Sequence, residues 1–271
     1  MRLGAWVWAS LATAVAGVVA GVVVVRSVAA DPEAEPPANT TVSVIGVEDD
    51  WPPFAWVDGP GQPPRGYAVE VVRLVFRNMG VPVELVVMPF GRCMHETRIG
   101  KIAGCFNSVF SDDIRKDYAL HSTPLFNEPL AVLARTAAPR QTIDANGLEG
   151  RTVGFVQGYQ YPNWFMNNKA IVRVSAASDS ALLLMLERGR IELAVTGATV
   201  AAWRLQTNPE LRNVQVRMVG QVSNDGFGVA FSKQHPHGEV LRKGFDQELL
   251  KLQATDGLRE LQRKHLPLLS Q

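Results

Sequence analysis

Residues 178–195 read SDSALLLMLERGRIELAV, a helix, its stop and the strand that follows. Ser178 suits a helix N-cap, because its hydroxyl accepts from backbone N–H groups orphaned in the first turn. Leu182, Met185 and Leu186 recur at helical spacing, Gly189 ends the run, and Ile191 to Val195 reads as a strand. Residues 90–106, FGRCMHETRIGKIAGCF, follow the same grammar: a helix from Phe90 to Arg98, Gly100, then a strand from Ile102 to Phe106. RIGKI at 98–102 and ERGRI at 187–191 each place a helix end, a glycine, a cation and an isoleucine that opens a strand. The echo predicts two units of like construction.

The flanking sequence extends the pattern in both directions. Thr41 to Val47 is β-branched and bounded by acidic residues, a first strand. Tyr67 to Met79 puts Val69, Val72, Val75, Phe76 and Met79 on one helical face before Gly80. Val83–Met88, Thr152–Val156 and Ile171–Val174 are further strands; Glu239–Gln253 and Leu258–His265 are helices. Strands alternating with helices imply crossover units and a mostly parallel sheet. Leu130–Ala134 and Phe227–Phe231 read as two strands crossing between lobes. The expected fold is therefore α/β and two-lobed, with lobe 1 from 40–134 plus 227–271 and lobe 2 inserted at 135–226. A cleft at such a hinge is where a ligand sits.

Composition narrows the functions. With 27 Lys and Arg against 26 Asp and Glu in 271 residues, no charged face for nucleic acid is expected. Arg2, an apolar run from Leu3 to Val25, and Ser27-Val28-Ala29-Ala30 form the parts of an export signal. The run also has the length of a membrane span, so residues 1–30 are either a cleaved leader or an anchor. Both place the remainder outside the cytoplasm, and proline-rich 31–39 suits a tether. Cys93 and Cys105 are either one disulfide, which an oxidising compartment permits, or two buried thiols. No metal site or cofactor is expected.

Seven short segments in order carry a resemblance: Pro52-Pro53-Phe54; Gly66-Tyr67; Pro89-Phe90-Gly91-Arg92; Ser111 to Arg115 through Leu125; Gly150 to Gly158; Glu187 to Thr196; and Phe227 to Phe231. From about Val42 onward the chain resembles the extracellular solute-binding proteins, family 3, of amino-acid ABC importers. The resemblance implies a type II-like periplasmic-binding fold, a monomer, a small carboxylate-bearing solute and an inner-membrane ABC permease as partner. It makes Arg115 the grip on the ligand's carboxylate, a role that the flat donor fork of guanidinium suits. It makes Phe54 a cleft wall, with Trp51 either beside it or packing its loop, Ser108 a further ligand-binding candidate, and Arg92 either a second anion contact or a surface charge. Gly158, Tyr159 and Gln160 would close from the second lobe at a helix start, with Thr196 near the ligand. Tyr161 and Trp164 either line the pocket or pack the helix.

One departure stands out. Where the family carries an ammonium-binding aspartate, this chain reads Val195-Thr196-Gly197. Either Glu128 or Asp225 supplies the charge from elsewhere, or the solute is not an ordinary α-amino acid. Two other classes share the fold, a cyclohexadienyl-dehydratase-like enzyme and a membrane-tethered sensory or accessory domain. The enzyme needs a cleft acid, for which Glu128 and Asp225 are the candidates, and the chain has none of the nucleophile-elbow, P-loop or zincin motifs. Binding without catalysis is the expectation.

Overall fold

Leu193, Ala194 and Val195 are all buried but serve different cores. Leu193 and Val195 join Leu148, Val153 and Phe165, while Ala194 joins Leu182, Leu183 and Leu186. Cys105 and Phe106 divide in the same way, the first toward Met94 and Tyr118, the second toward Phe231 and Phe245. Strands apolar on both sides belong to sheets covered on both faces. The computed structural model that shows this describes residues 42–266, and the expected leader (1–30) and tether (31–39) lie outside the described residues.

In chain order come β1 Ser43–Val47, β2 Asp50–Trp51, β3 Ala55–Trp56, α1 Tyr67–Asn78, β4 Val83–Val87, α2 Phe90–Arg98 and β5 Gly104–Val109. Then follow α3 Asp112–Asp117, β6 Tyr118–Leu120, β7 Phe126–Arg135, β8 Thr152–Val156, α4 Asn163–Asn167 and β9 Val172–Ala176. The chain finishes with α5 Asp179–Glu187, β10 Leu193–Gly197, α6 Ala198–Thr207, β11 Val216–Ser232, α7 Gly238–Gln253 and α8 Gly257–His265. Ser178 caps α5 by accepting from Ala181 N–H. Gly66, at φ 129°, opens α1 where a Cβ would stand 2.3 Å from the Phe54 carbonyl oxygen, so only glycine fits.

The large sheet runs β4-β1-β5-β11-β7-β10-β8-β9, with β6 beside β11. β1 pairs in parallel with β4 and β5, and β8 in parallel with β10 and β9. Between these groups β7 and β11 pair antiparallel from Arg135↔Val216 to Phe126↔Phe227. β11 continues antiparallel along β5 through Phe227–Phe231, and β7 pairs antiparallel with β10 through Leu130–Leu133. The sheet is therefore mixed rather than mostly parallel. Crossover helices make each outer group parallel, but the chain must leave by β7 and return by β11, which forces opposite directions. The molecule is two-lobed, with α1, α2, α7 and α8 packed about one group and α5 and α6 about the other. The expected boundaries at 134/135 and 226/227 fall inside β7 and β11.

Cys93 on α2 and Cys105 on β5 are joined, with S–S 1.96 Å. The described residues, 42–266, belong to one compact unit.

Candidate binding site

A β-bulge sets one side chain of the site. β11 pairs Val229 with Phe106 and Gly228 with Ser108, leaving Asn107 of β5 as the extra residue. Asn107 takes the left-handed conformation, φ 67°, which asparagine tolerates better than most residues. Its amide is buried, lines a cavity of about 40 Å³, and neither polar atom of that amide has a hydrogen-bond partner. Around it stand Glu48 and Trp51 after β1, Phe90 at the start of α2, Glu128 and Leu130 on β7, and Asp225 and Phe227 on β11. The second lobe adds Tyr159, Gln160 and Tyr161 after β8, and Gly197 at the end of β10.

One wall is aromatic. Trp51 lies 5.0 Å from Phe227 and 4.9 Å from Phe54, centroid to centroid. Phe54 is stacked on Phe126 at 4.0 Å. The opposite chemistry is acidic: Glu48, Glu128 and Asp225 line the cavity, and no Lys, Arg or His does so among the described residues. Glu128 is only 3% exposed. Its Oε1 accepts from the N–H of Thr199 at 2.8 Å and of Val200 at 3.4 Å, in the first turn of α6. Its Oε2 has no hydrogen-bond partner. Asp179 is fully buried, accepting from Thr196 Oγ1 at 2.5 Å and from the Tyr159 hydroxyl at 2.9 Å. Burial, which disfavours charge, raises Glu128 to about 7, against the lowering effect of Thr199 and Val200. Burial first and the Asp179 charge second raise Glu48 to about 8. Asp179 is raised by burial as well.

Of the residues expected from the sequence, Trp51, Tyr159 and Gln160 line the cavity. Gln160 Oε1 also accepts from Val109 N–H at 2.8 Å, joining the second lobe to the end of β5. Phe54 is fully buried behind Trp51, and Thr196 fully buried against Asp179. Ser108 is fully buried with an unpartnered hydroxyl. Gly158, at φ 88°, lines an adjoining depression with Glu48, Phe90 and Tyr159. α4 starts only at Asn163, after Pro162, so the Gly158–Gln160 amides precede the helix instead of opening it. Arg92 is exposed and pairs with Glu96 at 2.8 Å, one turn along α2. Arg115 lies on α3, a helix with no buried residue, and its guanidinium sits 5.5 Å from the Phe110 ring centroid. Neither arginine lines the cavity.

Tyr161 both lines the cavity and anchors strands: its hydroxyl accepts from Val156 N–H at 2.9 Å and donates to Val195 O at 3.3 Å. Glu48, Phe90, Asn107 and Asp179 were not singled out from sequence; the acidic run Glu48-Asp49-Asp50 at a strand end was the available signal. Gly197, where a carboxylate was expected, lies against one. A Cβ there would stand 2.5 Å from Glu128 Oε1. Away from the cavity, Arg204 of α6 pairs with Asp50 at 2.6 Å, Trp56 and Trp203 rings lie 5.7 Å apart, and Asn163 bonds Asp113.

A two-lobed α/β molecule with a part-aromatic, part-acidic cavity between the lobes has the architecture of a solute-binding protein. The chain belongs to the bacterial extracellular solute-binding proteins, family 3, whose model matches residues 43–267. It is 27% identical over 223 residues to the L-cystine-binding protein TcyJ of Escherichia coli strain K12, covering 81% of this chain and 77% of that one. Among solved structures it is similar to a mutant of ArgBP from T. maritima, with TM-score 0.69, 21% identity, and 83% and 95% of the two chains covered. An ancestral arginine-binding protein bound to arginine gives TM-score 0.69, 21% identity, and 83% and 98% coverage. These likenesses extend the fold over both lobes.

Proposed function

We propose that the chain captures a small amino-acid-like solute outside the cytoplasm by closing two lobes over it, and delivers it to an ABC-type importer. The observation that carries this reading is a cavity walled by both lobes and both connecting strands, lined by aromatic rings and by carboxylates. An apolar body with an ammonium group suits those walls. The cystine and arginine in the names of its relatives support an amino acid as the class. Trp51, backed by Phe54, forms the apolar wall; Tyr159 and Gln160 close from the second lobe, with Gly158, Ser108 and Thr196 around them. Arg115 swings from Phe110 to meet the solute's carboxylate, and Arg92 offers a second, outer cation. The hinge runs through β7 and β11, with 135–226 as the inserted lobe. The protein works as a monomer, without catalysis, and meets the membrane through its importer or through residues 1–30.

Thermal unfolding of a chain starting at Asp31, with and without each standard L-amino acid and L-cystine, tests this. A ligand at 100 times its Kd adds about 2.7 kcal/mol, which raises the midpoint by roughly 5–10 °C. We expect such a rise for one or a few amino acids, and its loss in Arg115→Ala. A flat panel removes the amino-acid assignment; a rise that survives Arg115→Ala removes Arg115 from the site.

A further inference from the structure

We propose that Glu128 receives the solute's ammonium group, its carboxylate reaching the cavity from the connecting strand β7 across the gap left by Gly197. The proposal deepens the function above and rests on it. Two backbone amides at the start of α6 hold Oε1, the Thr199 side chain also favours the charged carboxylate, and Oε2 has no hydrogen-bond partner in this buried, cavity-lining side chain. A buried carboxylate needs a compensating partner. No cationic side chain lines this cavity among the described residues, so the partner is the ligand. Among the described residues, no group of three or more His, Cys, Asp or Glu is placed to hold a metal ion.

Gly197 makes the arrangement possible. A Cβ at that position would stand 2.5 Å from Glu128 Oε1 and 3.2 Å from its Cγ and Cδ, so any side chain there displaces the carboxylate. Glutamate at 128 and glycine at 197 therefore form a matched pair. A carboxylate reaching in from 197 would occupy the place that Glu128 now fills.

The test uses the full chain, exported and purified, in calorimetric titrations with the standard L-amino acids and L-cystine. Each is paired with the corresponding acid lacking the amino group. Glu128→Gln keeps the shape and the Oε1 acceptor while removing the charge. It should weaken the amino acid by roughly 30-fold to several-thousand-fold and leave its amino-free partner almost unchanged. Glu128→Ala should lose the amino acid likewise, and adding Gly197→Asp should recover at least about tenfold, the carboxylate having moved across. Unchanged affinity in Glu128→Gln overturns the proposal, as does equal loss for both members of a pair, which marks Glu128 as structural. If the wild type binds no amino acid, the function above falls and takes this inference with it. Circular dichroism melts confirm that each variant folds.

Discussion

Protons and an ammonium compete for Glu128. Burial lifts its carboxyl to about 7, above an unfolded value near 4.5, so between those values the native state holds a proton that the unfolded state has lost. Stability contributed by this group is full below pH 4.5 and declines as pH rises through 7. A cationic solute favours the ionised form, so its affinity runs the other way. Glu48, raised to about 8, Asp225 and Tyr159 line the same cavity, and Asp179, buried behind Tyr159 and Thr196, adds its charge from outside it. Affinity should climb from pH 5 to pH 8, by up to about tenfold per unit below the carboxyl pKa, with proton release measurable in buffers of different ionisation enthalpy. Gly197→Ala should cost about 1–3 kcal/mol of stability as Glu128 gives way, seen as a lower melting midpoint. His121 behaves oppositely. It is fully buried and accepts from Val229 N–H at 3.0 Å, and burial holds its pKa down to about 4. Below pH 6.5 the unfolded chain takes a proton that the native imidazole refuses, so stability from this residue falls as pH drops from 6.5 to 4. NMR titration should find its ring neutral down to about pH 4.

Helix α2 shows what one covalent tie does for an element. It carries its apolar residues Cys93 and Met94 toward β5, and the Cys93–Cys105 bond closes the loop between them. For a loop of this size, cross-linking removes about 3 kcal/mol of unfolded-chain entropy. Replacing both cysteines by alanine should lower the melting midpoint by roughly 6–12 °C, and a reducing agent should do the same to the wild type. This helix was legible in sequence to the residue, because Phe90 follows a proline and Gly100 stops the chain just after Arg98. β11 was legible only at its end. Phe227–Phe231 is apolar, but Ser223-Asn224-Asp225-Gly226 has no strand signal of its own and is held extended by pairing with Leu130 to Asn127 of β7. The cavity divides likewise. Trp51, Tyr159 and Gln160, which flank predicted strands, line the cavity. Asn107 faces the cavity through a bulge that exists only once β5 and β11 are paired. Arg115, the boldest expectation from motif alone, sits on a short helix that buries nothing.

Across the whole molecule, several contacts join the lobes without lining the cavity: Asp50 with Arg204, Trp56 with Trp203, and Asp113 with Asn163. They are blind to what the cavity holds. Apparent affinity is intrinsic affinity scaled by the fraction of molecules in the competent arrangement, so these contacts multiply every solute's binding by one common factor. Trp203→Ala should therefore weaken all solutes by the same ratio, about 2- to 10-fold for an aromatic pair worth 0.5–1.5 kcal/mol, and leave their ranking untouched. Glu128→Gln should instead reorder them. Contacts of this kind would work as a clock. They would set how long a captured molecule waits before escape, independently of what that molecule is, and an importer that prised Trp56 from Trp203 would trigger release without ever touching the cargo.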